Sequence, residues 1–517
     1  MSIPNSLKLI NAAEVSSAVV SRRNTTIYPT GSQDVDAQTN GGNVIEFKLP
    51  VSNESIDMST FFMHFNFQIY NKTAAQTCYV EDSIESIIDQ VTVYIGNTGQ
   101  EIERIGPGYN RLESALNYYI SDSFVKSIGG SMFYTGLSRD ERISLYSSGA
   151  TTGNTVQCSV PLRLCGVANP NFIMPSQIFG QSSFLIVRIR LASPQSCLLV
   201  YTEGTITVSN TANSAGDVSV TARTAASNTP SYKLSNIRAS FDLIQTSQDY
   251  QNQISQFLAS SSLVYPVKTW DVDFRAIDAS LGRTSFTENL SYNYRDIESI
   301  FFWFNKQSEL NTYNVAGEDR LWVPNNISSL QLTINGSKVP SIPIDLSNGA
   351  TEGLCHTLVA LGALHVAEHV GPFNFEHITS NFSASNISST TASGVASITL
   401  PIYSQVSSNR HYGRNKTAPS ESVLASRALS ISTAATLNPY AVDTTPSYFL
   451  IGLNMRKLLD LPNGELSGLN LQNTSGSIGY ELKFSAAPGA SEIYSMGVAV
   501  LHNRFISLSG AGVTVDI

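Results

Sequence analysis

The sequence predicts an all-β protein built from two tandem antiparallel sandwich domains, each with a helix in a long connection. Three observations carry this: sparse charge made up by small polar residues, a succession of short alternating segments, and an echo of the first half in the second. The 517 residues suit two large β domains, since sandwiches and barrels often run long. Hydrophobic residues at 42% are enough for sizeable cores and argue against wholesale disorder. Charged residues reach only 14%, against about 25% in ordinary soluble proteins, and Ser, Thr, Asn and Gly fill the gap. That profile belongs to short strands joined by polar turns.

The segments follow in order. Residues 1–24 read as an arm ending in Arg22-Arg23. "NVIEFKLP" sets Ile45, Phe47 and Leu49 against Val44, Glu46 and Lys48, the two-residue period of a half-buried strand. "FFMHFNFQIY" (61–70) and "DQVTVYIGN" (89–97) continue the pattern. In "ERIGPGYNRLESALNYYISDSF" the residues Ile105, Tyr109, Leu112, Leu116 and Ile120 fall at helical spacing around a Gly-Pro-Gly breaker. Strands resume at 155–164, 183–193 and 232–245, with a polar surface excursion between the last two. "SQDYQNQISQFLASS" places Tyr250, Ile254 and Leu258 on one helical stripe, and the domain junction falls in or just after it, giving a first domain over 25–255 and a second over 256–517.

The echo sets the domain count. "FFMHFNFQ" reappears as "IFFWFNKQ", so that Phe65, Asn66 and Gln68 meet Phe304, Asn305 and Gln307 at an offset of 239 residues. The same offset carries Val91, Val93 and Ile95 onto Leu330, Leu332 and Ile334, each trio followed by a Gly/Asn turn. A helix follows in each half, the second within "ATEGLCHTLVALGALHVAEHV". "SFLIVRIRLA" pairs with "YFLIGLNMRKL" (448–458) at the longer offset of 265, the extra residues fitting the loop "SNFSASNISSTTASGVAS". A shared order of elements marks a duplication.

Several stretches together resemble the major capsid proteins of tailless icosahedral double-stranded DNA viruses, of the polinton-like virus and virophage type. They are "NVIEFKLP", "IIDQVTVYIGNTGQEIERIGPGYNRLESAL", "SVPLRLCGVANPNFIMPSQIFGQSSFLIVRIRLAS", "YKLSNIRASFDLIQTSQDY" and "MGVAVLHNRFISLSGAGVTVDI". They are patterns of strands and turns, so their weight lies in number and order. The resemblance implies two tandem eight-stranded antiparallel jelly-roll sandwiches with short helices in the long connections. It further implies a homotrimer that forms a pseudo-hexameric capsomer. Its partners would be neighbouring capsomers and penton and minor capsid proteins, in a virion assembled inside the host cell. The first domain of one chain would meet the second of its neighbour, with loops near 195–230 and 375–425 at the exposed end. Contact with an inner membrane stays open.

Composition agrees independently. Net charge is −9, and the densest basic groups are Arg22-Arg23 and Arg410 with Arg414, so no basic field draws in nucleic acid and no sequence-specific binding of it is expected. Cys78, Cys158, Cys165, Cys197 and Cys355 lack zinc or redox spacing and read as free thiols. The N-terminal stretch has no continuous apolar core of a signal peptide, and no stretch approaches the ~20 apolar residues of a membrane span. Asn24, Asn71, Asn326 and Asn415 open N-x-S/T triplets, a frequent accident in so Ser/Thr-rich a chain.

One pentapeptide points elsewhere. "HVAEH" places His365 and His369 four apart, with Glu368 between, the spelling of an inverted zinc-peptidase motif. On a helix the two imidazoles share a face, but a catalytic zinc needs a third ligand, and Glu376 and Glu421 sit in loop-like stretches. Leu358, Leu361, Leu364 and Val366 explain the helix as core. The acidic cluster Glu81, Asp82, Glu85 and Asp89 lacks the glycine and terminal glutamate of a calcium loop and reads as a solvated approach to a strand. "GPG" (106–108) lacks the Gly-Lys-Ser/Thr of a phosphate cradle, and the aromatic run 301–304 reads as core rather than a stacking platform. The sequence therefore assigns no catalytic, cofactor-binding or metal-ligating residue, and the protein is read as a non-enzymatic capsid subunit. The alternatives are a non-virion trimeric assembly scaffold of the same fold and a glycan-binding β-sandwich protein.

Overall fold

The structure is a computed structural model that describes most of residues 19–116, 145–168, 184–313, 327–362 and 450–516, with short stretches between 388 and 431. In the first half, β1 (Val19–Ile27), β2 (Val44–Pro50), β3 (Glu54–Tyr70), β4 (Ile88–Ile95), β5 (Gln100–Ile105), β6 (Val156–Pro161), β7 (Phe184–Leu191) and β8 (Ser231–Thr246) form two antiparallel sheets. One runs β1-β8-β3-β6 and the other β2-β7-β4-β5. In the second half the strands are β9 (Leu263–Asp278), β10 (Ser285–Leu290), β11 (Ile297–Lys306), β12 (Ile327–Ile334), β13 (Ser337–Asp345), β14 (Leu450–Asn454), β15 (Ile478–Phe484) and β16 (Ile493–Ser509). Their sheets run β9-β16-β11-β14 and β10-β15-β12-β13, the first half's order with eight added to every label. The chain crosses between sheets at nearly every connection, which is the jelly-roll winding.

The helices sit where the duplication puts them. The first, α1 (Tyr109–Leu116), follows β5, and α3 (Thr351–Ala360) follows its counterpart β13. Between the halves lies α2 (Gln248–Ser260), capped by Ser247, whose hydroxyl accepts from the Tyr250 amide at 3.4 Å. Its Ile254 and Leu258 are buried, on the predicted stripe. Ile105 differs from expectation: it closes β5, because Gly106 and Gly108 at positive φ break the backbone before α1 starts. Ile120 lies outside the described residues.

Two further expectations are corrected by the pairing. Residues 19–24, read as the end of an arm, belong to β1 and pair along β8, Arg22 opposite Ile244 and Arg23 opposite Leu243. Their charge is absorbed locally: Arg22 meets Asp242 at 2.6 Å and Asp57 at 3.1 Å, and Arg23 meets Glu54 at 2.6 Å. Secondly, the counterpart of "SFLIVRIRLA" is not the segment at 448–458. That segment forms β14, which pairs with β11 as β6 pairs with β3. The partner of β7 by position is β15, whose Ile478, Tyr480, Leu482 and Phe484 are buried. Matching apolar runs chose the wrong strand because β14 is buried on both faces and so reads as a continuous run.

The cores explain why. Along β3, Phe61, Met63, Phe65, Phe67 and Ile69 are buried while Phe62, His64, Asn66 and Gln68 are half-buried, as a one-sided strand requires. Along β11 the aromatic run Phe301, Phe302, Trp303, Phe304 is buried throughout. Ile300, Phe302 and Phe304 fill the second sandwich with Leu330, Leu332, Leu482 and Val498. Phe301 and Trp303 face the other way and join Trp270 and Val272 to the core of the first half. At roughly 1.5–3 kcal/mol for a fully buried large apolar side chain, this second face is a substantial attachment.

Gly497 makes that face possible. It lies opposite Trp303 across the β11–β16 ladder, and a Cβ there would stand 2.1 Å from Trp303 Cε2. The indole is held on its other side by Phe274, edge to face at 6.1 Å. Gly497→Ala is therefore expected to destabilise the chain by about 1–3 kcal/mol. A denaturant titration checks this, and an unshifted midpoint would contradict the packing described.

The buried His502 on β16 makes stability pH-dependent. Its ring stacks flat against Tyr294 at 3.7 Å, and the Tyr294 hydroxyl bonds to the Asp271 carboxylate. Burial, and then the nearby Arg504, push its pKa down to about 3 from the ordinary histidine value. Because the folded-state value is depressed, the unfolded chain binds the proton first. Stability is then full above about pH 6.5 and falls as the pH drops toward 3, by an amount on the order of a few kcal/mol. His502→Gln should flatten the pH 6.5-to-4 slope of unfolding free energy, and a slope unchanged by the substitution would count against the assignment.

Candidate functional site

Among the described residues no group of three or more His, Cys, Asp or Glu side chains is placed to hold a metal ion. His365, His369, Glu376 and Glu421 lie outside the described residues. The site that the structure builds is one of contact between halves, supported by buried charge.

The acidic stretch after Val80 is not the solvated approach that its composition suggests. Glu81 and Glu85 are buried, and Asp82 lies outside the described residues. Arg111 of α1 reaches Glu81 at 3.0 Å and the Ser196 carbonyl at 2.6 Å. Arg163 meets Glu85 at 2.6 Å and also contacts Glu113 of α1. Asp89 receives Arg190 at 2.8 Å and the Gly108 amide at 3.2 Å. The carboxylates of Glu81 and Glu85 are buried, and pairs of that kind contribute little net stability but are expensive to break singly. They fix where α1 sits against β4 and the turn before it. No periodicity shows this, because the arginines come from residues 111, 163 and 190, far along the chain from the acids they meet.

With α1 fixed, the edge formed by β5 presents a surface to the second half. Glu103 on β5 is buried and accepts from the amides of Gly166 at 2.6 Å and Val167 at 2.9 Å. Burial pushes its carboxyl above the ordinary value, opposed by those amide bonds. Gly166 in turn touches β9: a Cβ would fall 1.7 Å from the Lys268 carbonyl oxygen. The Phe274 ring of β9 lies over Gly108 just before α1, and Arg504 of β16 reaches Glu101 of β5 at 3.4 Å. The seam thus joins the trailing edge strand of the first half to the leading strand of the second.

The outer faces of equivalent sheets differ in chemistry. Across the second half one row reads Val272, Ala499, Phe301, Gly452. The same row in the first half reads Thr26, Ser240, Phe62, Pro161. His64 occupies the place of Trp303, and opposite it stands Arg238 where the second half has Gly497. His64 is bridged by Ser159 at 2.8 Å and Ser240 at 2.7 Å, and burial, then Arg238, lower its pKa. Helix α3 covers part of the second face: Thr357 accepts from the Gly452 amide at 2.8 Å, and Ser299 donates to the Ala360 carbonyl at 3.0 Å. One face is an apolar joint, the other a polar surface.

The expected exposed excursion at 195–230 starts in the core instead. Leu198–Thr202 pairs with Gln76–Val80, and Leu198, Leu199 and Val200 are buried. Ile206–Thr211 and Ser214–Val220 then form a hairpin. Most of the second loop, 375–425, lies outside the described residues. The cysteines are free thiols, with Cys78, Cys158, Cys165 and Cys197 buried and Cys355 exposed. Burial raises the pKa of the Cys78, Cys158 and Cys165 thiols, which slows their reaction further. Thiol titration without reductant is expected to show one fast group in the native protein and five after unfolding; fewer than five would contradict the free state.

No protein-family model matches the chain, and no curated protein matches it by sequence. Solved structures do. The Faustovirus major capsid protein aligns over 97% of this chain and 92% of its own, with TM-score 0.52 and 9% identity. The PBCV-1 virus capsid aligns over 96% and 97% with TM-score 0.47 and 11% identity, and the mavirus major capsid protein over 100% and 95% with TM-score 0.45 and 11% identity. At 9% identity the likeness to the Faustovirus protein is one of fold. The chain has the double jelly-roll fold of viral major capsid proteins.

Proposed function

We propose that this chain is a structural, non-enzymatic subunit of an icosahedral viral capsid, a double jelly-roll major capsid protein that assembles as a homotrimer. The observation that carries the reading is the repeated eight-strand order in two halves joined head to tail, in a fold aligned along nearly its whole length with a major capsid protein. Two similar wedges per chain present six around a three-fold axis, so three chains make a near-hexagonal tile able to cover flat facets. The first roll is taken as the expected 25–255 extended back to Val19 by β1, and the second as 256–517, with α2 at the junction. Neighbouring capsomers and penton and minor capsid proteins are the partners, the virion is the location, and assembly takes place inside the host cell. A non-virion assembly scaffold would share the fold, and the two differ in whether the chain persists in finished particles.

Light scattering of the purified protein is expected to give three chains per particle, and electron microscopy hexagonal plates or shells. The trimer contacts should bury more than ~2,000 Å², as obligate oligomers do. A monomer or a two-fold dimer under all assembly conditions would sink the capsomer reading.

A further inference from the structure

The first and last strands of the second roll share more than a ladder. Lys268 on β9 stands directly opposite Asn503 on β16, so the two side chains leave the sheet on the same face. Glu298, on β11 at the other side of β16, holds both. Its Oε2 accepts from Lys268 Nζ at 2.9 Å and its Oε1 from Asn503 Nδ2 at 3.0 Å. The same Nδ2 also donates to Asp296 Oδ2 at 2.5 Å. Carboxylates on both sides fix which end of the Asn503 amide is nitrogen, since a carbonyl there would face only acceptors. Glu298, Asn503 and Asp296 are buried, while the Lys268 side chain is 46% exposed. The first roll shows an ordinary charge cluster at the equivalent place. Val272 pairs with Ala499 as Thr26 pairs with Ser240, so Lys268 and Asn503 answer to Arg22 and Ile244. There Arg22 meets Asp57 and Asp242, and its cross-strand neighbour is aliphatic. An ion pair thus needs neither lysine nor asparagine, and a guanidinium stays protonated and is no nucleophile. The second roll brings together an amine, a primary amide and a carboxylate touching both, the three groups of an acyl transfer.

We infer that Lys268 and Asn503 join in a self-formed isopeptide bond within the folded chain, with Glu298 moving the protons. Burial raises the Glu298 carboxyl, but Lys268 and then Arg456 outweigh it and hold the group below its ordinary value, so it is ionised and able to accept. The Lys268 ammonium gives one proton to Glu298, and the freed amine attacks Asn503 Cγ. A bond forms between Nζ and Cγ, and the bond between Cγ and Nδ2 breaks. Nδ2 departs as ammonium, taking the proton that Nζ sheds and the one that Glu298 held. Nothing is oxidised or reduced, and Glu298 ends as the carboxylate it began as. Asp296 is a positioning residue that holds the amide on the side of the lysine. Arg456, whose Nε lies 3.1 Å from Glu298 Oε2, keeps that carboxylate paired once the lysine charge has gone. Without it the product would contain a buried, unpaired anion. The exposed side of Lys268 gives ammonium a way out to water. The bond ties β9 to β16 and closes nearly the whole second roll into a loop, which stabilises by restricting the unfolded chain as a disulfide does.

The test is the mass of the full-length chain, measured after denaturation. The intact protein is expected to be lighter than its sequence by one ammonia. Tryptic digestion and tandem mass spectrometry should find the peptide bearing Lys268 joined to the one bearing Asn503, with no cleavage after Lys268. Lys268→Arg keeps a cation beside Glu298, and Glu298→Gln keeps the shape of the carboxylate. Both are expected at full sequence mass with native circular dichroism, and Lys268→Arg should lose the fast-running band that the looped wild type gives on a denaturing gel. Asn335-Gly336, in an exposed turn, offers another route to the same mass, by closing to a succinimide. Ammonia loss located at Asn335, or two separate peptides from a folded wild-type chain of full mass, would overturn the inference. Linked peptides undiminished in Glu298→Gln would overturn the part given to Glu298. The measurement is made on the peptides of one chain, so its result does not depend on whether the chain assembles into a capsomer.

Discussion

Trp303 is enclosed by Gly497 across the ladder and by Phe274 at its edge, and Phe301 by Gly452 and Trp270. These contacts shut the outer face of β11 from water. A sheet in a sandwich ordinarily needs one apolar face, and the other is free to be polar. Here the central strand of one sheet is apolar on both. Among the described residues the second face is covered by α3 and by the first half, so the second sandwich depends on its neighbour. Everything at the seam follows from that need: small residues at Gly166 and Gly108, where backbones or rings approach, and a buried carboxylate at Glu103 that ties the loop at Gly166 to the edge of β5.

The buried charges serve the same end from the first half. Glu81 and Glu85 are withdrawn from water and answered by Arg111 and Arg163, and the arginines are held in turn by backbone carbonyl and carboxylate partners. Replacing such pairs with apolar residues is often neutral for stability, so position rather than strength is what they supply. They set α1 against the edge that receives Phe274. A similar set in the second half gathers Lys268, Arg456 and Asn503 around Glu298, and Asn503 also donates to Asp296.

Much of this was legible in the residues. The run "FFMHFNFQIY" placed β3, and the stripe Ile254–Leu258 placed α2. The 239-residue echo found the true partners β3 with β11 and β4 with β12. What failed did so for definable reasons. Beyond the loop of the second half, a like-for-like match of apolar runs took β14 for the partner of β7, because hydrophobicity reports burial and not position in a sheet. The burial of Glu81 and Glu85 depends on arginines distant in sequence, which local patterning cannot reveal. That Phe301–Phe304 belongs to the core was visible as four aromatics in a row, but that both sides are buried, and by what, was not.

The pairing of β1 with β8, and of β9 with β16, sets the order in which the chain can fold. Each roll is closed by a ladder between its first and last strands: Arg22 waits for Ile244, and Trp270 for Leu501. Contacts so distant in sequence slow folding more than they cost in equilibrium stability, since closure entropy grows only with the logarithm of loop length. During synthesis from the N-terminus, the first roll has all its strands once Thr246 has emerged, before any of the second exists. The apolar outer face of the later sheet is then laid down against a finished neighbour. The chain's own first half acts as the template that keeps Trp270, Phe301 and Trp303 out of solution while the second half is still being made.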